Sequence, residues 1–185
     1  MKNYLRTLVI PSLALAGMAT AQTTPPELKF EVDRPEIGKP IFEETFEGGL
    51  RGHSAYAVEA FERWQVTEGT VNILRSPKQG IGGYLDLGGY TRNPGTFQTR
   101  LPLLFLPDTR YEVSFDSFSP NGKSNTAILE IGSRSLRIET HSKSPKRVTG
   151  TFTFAEATQA RILFRGLGQN NVGVGIDNIR ITPVH

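Results

Sequence analysis

The sequence has no cysteine at all among its 185 residues. Neither a disulfide nor a lipid anchor through an N-terminal cysteine is therefore available, and stability must come from a packed core or a bound ion. Long apolar runs are also missing. The longest, Leu8 to Ala16, is too short for a permanent transmembrane helix, which needs ~20 apolar residues. With three histidines, His53, His141 and His185, scattered along the chain, no zinc spacing or nucleophile elbow can be drawn. They read as surface residues. Charge of one sign is scarce too. The formal net charge is +3, and losing Lys2 and Arg6 with the first 21 residues takes it from +3 to +1, which argues against a polyanion-seeking or nucleic-acid-binding protein.

What is present begins with an address. Lys2 and Arg6 precede the apolar run, and Ala19-Thr20-Ala21 precedes Gln22, the pattern of a secretory signal peptide with an A-x-A cleavage site. Residues 1–21 are expected to be removed, giving an exported protein, periplasmic, cell-surface or extracellular. Residues 22–40 carry four prolines and read as an extended leader in which "LKFEV" could add an edge strand. Residues 41–185 form one domain large enough for a single hydrophobic core.

Within that domain the periodicity is that of strands. In "RYEVSFDSF" Tyr111, Val113 and Phe115 alternate with Glu112, Ser114 and Asp116, and "RVTGTFTF" and "QARILFRG" alternate similarly. This predicts a core of Tyr111, Val113, Phe115, Phe152, Phe154, Ile162 and Phe164. The other strand segments are "IFEETFE", "TVNIL", "GYLDL", "TFQTRL", "TAILEI", "SLRIET" and "GVGIDNIRI". Together they predict an all-β, two-sheet antiparallel sandwich of about ten strands. "AYAVEAFERW" is the one moderately helical stretch, or else a long loop.

The order of these motifs carries a resemblance. An early "FE" strand, a Trp followed by "VTEGTVNIL", then "GGYLDLGG", "TRYEVSFDSF" and a closing "GIDNIRI" resemble the carbohydrate-binding-module-like jelly rolls of the galactose-binding superfamily, as found in exported bacterial envelope proteins. That resemblance implies a jelly roll whose first and last strands lie side by side. It further implies a structural calcium held by Glu47 and Asp177, and Glu44 is a second inward carboxylate by its phase with Phe42 and Phe46. The alternative for Asp177 is hydrogen bonding to backbone N–H groups, or pairing with Arg180 or Arg51. Trp64 reads as a packing residue.

Sugars are recognised by flat aromatic faces beside hydrogen-bonding side chains. Two loops have this mixture, "GGYTRNPG" with Tyr90, Arg92 and Asn93, and "SFSPNGKSN" with Phe118 and Asn121. Tyr84 and Asp86 oppose Leu85 and Leu87 and are expected on an exposed or concave face. In the competing reading Tyr84 and Phe118 fill the ends of the sandwich. No pair of carboxylates shows the disposition of a glycosidase, since neighbours on one strand such as Glu43, Glu44 and Glu47 seldom flank a cleft. The basic segment around Arg134, Arg137, Lys143, Lys146 and Arg147 reads as a solvated hairpin. The sequence thus points to an exported, non-catalytic module that binds glycan or another envelope polymer, anionic polymers included. A structural envelope or matrix protein making protein contacts is the other reading.

Overall fold

The computed structural model describes residues 33–48, 53–76, 81–89, 93–168 and 172–185. The expected signal peptide and the "LKFEV" segment lie outside them. Among the described residues fifteen strands run in chain order: β1 (Phe42–Glu44), β2 (Ala55–Val58), β3 (Ala60–Phe61), β4 (Trp64–Glu68), β5 (Val71–Ser76), β6 (Ile81–Asp86), β7 (Thr96–Thr99), β8 (Leu103–Phe105), β9 (Arg110–Phe118), β10 (Asn125–Ile131), β11 (Arg134–Thr140), β12 (Lys146–Phe152), β13 (Thr158–Ala160), β14 (Ile162–Leu167) and β15 (Gly175–Val184). Each of the ten expected segments contains a strand. The count is higher because β2, β3, β4, β8 and β13 are short pieces, and the stretch expected as helix or loop supplies β2, β3 and the start of β4.

Two sheets enclose the core. One has the order β12-β9-β15-β6-β5-β2, with β1 also paired to β15; the other runs β11-β10-β14-β7-β4-β3, and β8 and β13 form a separate ribbon. All the strand ladders are antiparallel. Tyr111, Val113, Phe115, Phe154, Ile162 and Phe164 are buried as expected from alternation, while Phe152 is half-buried and packs against them. Trp64 is fully buried and stacks on Phe97 with ring centroids 4.9 Å apart. Aromatic area on this scale is what a disulfide-free domain of this size requires.

The last strand breaks its own alternation. Alternation alone places Asp177 on the face of Ile179 and Ile181. The register against β9 shifts between Asp177 and Arg180, and Asn178 adopts φ +50°, so an extra residue is inserted there. Such a bulge reverses the side-chain phase. Asp177 is consequently opposite Asp116 on the outer face, whereas Ile179 and Ile181 stay in the core. β1 pairs with β15 beyond the bulge and β6 pairs before it, so the irregularity lies where the two partners change over.

Candidate glycan-binding face

The outer face of the larger sheet is built in register. Asn72 on β5 lies opposite Asp86 on β6, which is opposite Gly175 on β15, which is opposite Phe118 on β9. In the adjacent row Leu74 is opposite Tyr84. Ile81, Tyr84 and Phe118, with Leu74 against them, form an apolar cluster separate from the main core. Tyr84 and Phe118 meet edge-on, with centroids 4.9 Å apart. A side chain at Gly175 would collide with the Phe118 ring, so only glycine lets Phe118 lie across the strand.

This geometry corrects part of the sequence reading. Tyr84 and Asp86 do face away from Leu85, yet they are 6% and 1% exposed, and Phe118 is fully buried. Tyr84 and Phe118 therefore act as packing residues, and neither is an open stacking platform. Asn121 Oδ1 accepts from Ser119 Oγ, Lys123 N and Asn125 Nδ2, which uses it to fix its own turn. Asn93 is exposed, and its carbonyl accepts from the Thr70 N–H and hydroxyl. Tyr90 and Arg92 lie outside the described residues.

Among the described residues, the exposed aromatic of this face is Tyr56, 61% accessible, in the segment whose mixed periodicity reads as helix or loop. It stands on β2, at an irregularity where the pairing with β5 shifts between Ala55 and Val58 and Ala57 takes φ +49°. Bulges of this kind re-aim a side chain. The support beneath is polar and continuous: Ala57 N donates to Asn72 Oδ1, Asn72 Nδ2 donates to Asp86 Oδ2, and Asp86 Oδ1 accepts from Gly88 N and Gly173 N. Asp86 is thus a buried carboxylate held by three donors, whose pKa burial nevertheless raises. Burial, then the nearby Asp86 and Tyr56, push the Tyr84 phenol up to about 12. Tyr56 is therefore close to Tyr84, and the face presents an exposed ring beside a phenol that stays neutral. No sequence signal singled out Tyr56, because its orientation depends on a bulge that Asn72, fifteen residues later, holds in place.

The expected calcium ligands sit elsewhere in the same region. Glu44 is buried and its oxygens accept from Thr45 N, Phe46 N and Trp64 Nε1. Glu47 accepts from Gly83 N at 2.7 Å and pairs with Arg75 at 2.5 Å. Asp177 Oδ1 accepts from Asn178 N at 2.6 Å, and Asn178 Nδ2 donates to Asp116 at 2.8 Å. Among the described residues no three Asp, Glu, His or Cys side chains form a metal-binding group. Glu44 and Glu47 are committed to N–H donors and an arginine, so as arranged the three do not make a cation cage. Asp177 still feels its neighbours. Burial, with Asp116, Glu47 and Glu44 adding repulsion against the Asn178 hydrogen bond, pushes its carboxyl up to about 7.

No protein-family model matches the sequence, and no curated protein matches it. Solved structures do resemble the domain. TmCBM61 in complex with beta-1,4-galactotriose matches with TM-score 0.52 and 17% identity over 68% of this chain and 91% of that one. The domain shares with it the fold of a two-sheet antiparallel jelly roll. The K1 cleaved adhesin domain of Lys-gingipain from Porphyromonas gingivalis W83 matches with TM-score 0.52 and 13% identity over 76% and 96% of the two chains. The tandem CBM22-1-CBM22-2 domain of Paenibacillus barcinonensis Xyn10C matches with TM-score 0.51 and 13% identity, over 83% of this chain and 47% of that longer one.

Proposed function

We propose that this jelly roll is an exported, non-catalytic module that binds a glycan of the cell envelope or its surroundings on the outer face of the larger sheet. The observation that carries the reading is Tyr56, an exposed ring held on a bulge by the Ala57–Asn72–Asp86 chain of hydrogen bonds. A ring fixed in this way can stack on a sugar face with little loss of side-chain entropy. The fold supports it, since the similar TmCBM61 was solved with a galactotriose.

Titration calorimetry of the mature chain against a panel of polysaccharides that includes β-1,4-galactan and xylan tests the reading. Tyr56→Ala should weaken binding roughly tenfold with no change in melting temperature, because the ring is exposed. If the native chain binds none of the panel, a structural protein that uses the sandwich for protein contacts becomes the better account.

A further inference from the structure

We propose a second binding surface, independent of the glycan reading: the turn from β7 into β8 docks the domain on an anionic lipid surface. Leu101 is 78% exposed and forms one ledge with Pro102 and Leu103, while Leu104, 42% exposed, is turned to the opposite face of β8 from Leu103. Behind the ledge lies an apolar groove of about 510 Å³, lined in part by Ile41 and Phe42. An isolated exposed leucine is ordinary, but consecutive exposed apolar residues above an apolar groove are not.

Charge identifies the occupant. Arg63, Arg100 and Arg161 gather around this ledge, and each is fastened to backbone carbonyls. Arg100 Nε donates to the Trp64 carbonyl at 3.0 Å, and Arg161 Nη1 donates to the carbonyls of Thr99, at 2.9 Å, and Arg100. Arg63 donates to the Glu43 carbonyl and holds its guanidinium 4.6 Å over the Phe42 ring. Among the described residues neither Arg100 nor Arg161 forms an ion pair, and the carboxylate nearest Arg63 is the buried Glu44 at 3.8 Å. Glu62 is the acidic residue in the groove lining. Arg63 is balanced by Glu44, and Arg100 and Arg161 against Glu62 leave the rim around the apolar tip with an excess of one positive charge.

A lipid surface fits this combination better than a folded protein does. Leu101 stands so far out that a protein face would need a matching pocket, whereas a bilayer interface accommodates an apolar side chain without one. Arginine remains charged at any physiological pH and offers phosphate a bidentate fork, and anchoring its remaining donors to carbonyls holds that fork in place. Each arginine near an anionic surface contributes roughly fivefold in affinity, and partial burial of a leucine roughly tenfold.

Co-sedimentation of the mature chain with vesicles tests this. Vesicles of phosphatidylglycerol and phosphatidylcholine should bind the protein, with binding weakened by salt, and phosphatidylcholine alone should bind far less. Leu101→Ser should reduce binding about tenfold while leaving melting temperature and glycan binding unchanged. Absence of vesicle binding, equal binding to neutral vesicles, or equal binding by Leu101→Ser would each overturn the proposal.

Discussion

Replacing Asp177 by asparagine probes the corner where the final strand changes partners. Asp177 lies opposite Asp116 across the β9–β15 ladder, and like charges directly opposite one another oppose pairing. Its ordinary pKa of 3.8 rises to about 7, burial being the main cause and Asp116, Glu47 and Glu44 adding to it. The native state therefore keeps a proton that the unfolded chain has released. Stability from this group is complete below the unfolded value and is lost as pH rises through about 7, which is opposite in sign to a salt-bridged carboxylate. At ~1.4 kcal/mol per pKa unit the whole shift would be about 4 kcal/mol. The corner adjoins water, and Arg147 pairs with Asp116 at 3.3 Å, so about 1–3 kcal/mol is the expected size after screening. Asparagine keeps an acceptor for Asn178 N and has no proton to lose. Urea unfolding of both proteins at pH 4 and pH 8 should show Asp177→Asn gaining about 1–3 kcal/mol relative to the native chain between the two. A difference that does not vary with pH would refute the argument. So would the opposite pattern, in which calcium raises the melting temperature at pH 8, a chelator lowers it, and Asp177→Asn removes the response; the carboxylates would then be cation ligands.

Three further outcomes follow from the packing and the leader sequence. Gly150 faces inward on β12, and a methyl group there would meet Val113 and Leu136 at 3.7 and 3.9 Å beside a cavity of about 120 Å³. Gly150→Ala should stabilise the domain by ~0.5–1 kcal/mol in thermal unfolding, and a loss would show that β12 needs glycine for another reason. Trp64→Phe keeps much of the ring packing but takes the Nε1 donor, 2.9 Å away, from buried Glu44. It should cost about 2–4 kcal/mol in urea, and combining it with Glu44→Gln should recover part of that, whereas strict additivity would show the pair to be uncoupled. Intact-mass measurement of the exported protein should give a chain starting at Gln22, and a mass that retains the apolar run would exclude cleavage after Ala21.

How far the sequence could be read depended on whether the governing interaction was local. Alternation is local, so Tyr111, Val113 and Phe115 declared their face. What the bulge does to Asp177 was not legible, because the direction of the side chain depends on which residue is inserted. That is fixed by Asn178 bonding across to Asp116, sixty-two residues away. Phe118 failed for a related reason. A loop aromatic reads as a platform until Gly175 on another strand lets it fold down onto Tyr84. Asp86, read from the sequence as a ligand contact, is occupied in the structure by other partners. Its three donors and near-complete burial commit it to holding other atoms, and one of those commitments reaches through Asn72 to Ala57 and so to Tyr56. A carboxylate chosen from sequence as a ligand contact is thus better understood as the anchor of the exposed ring beside it. For this face, Asp86→Ala should therefore impair glycan binding by loosening Tyr56, and should lower stability as well, whereas Tyr56→Ala impairs binding alone.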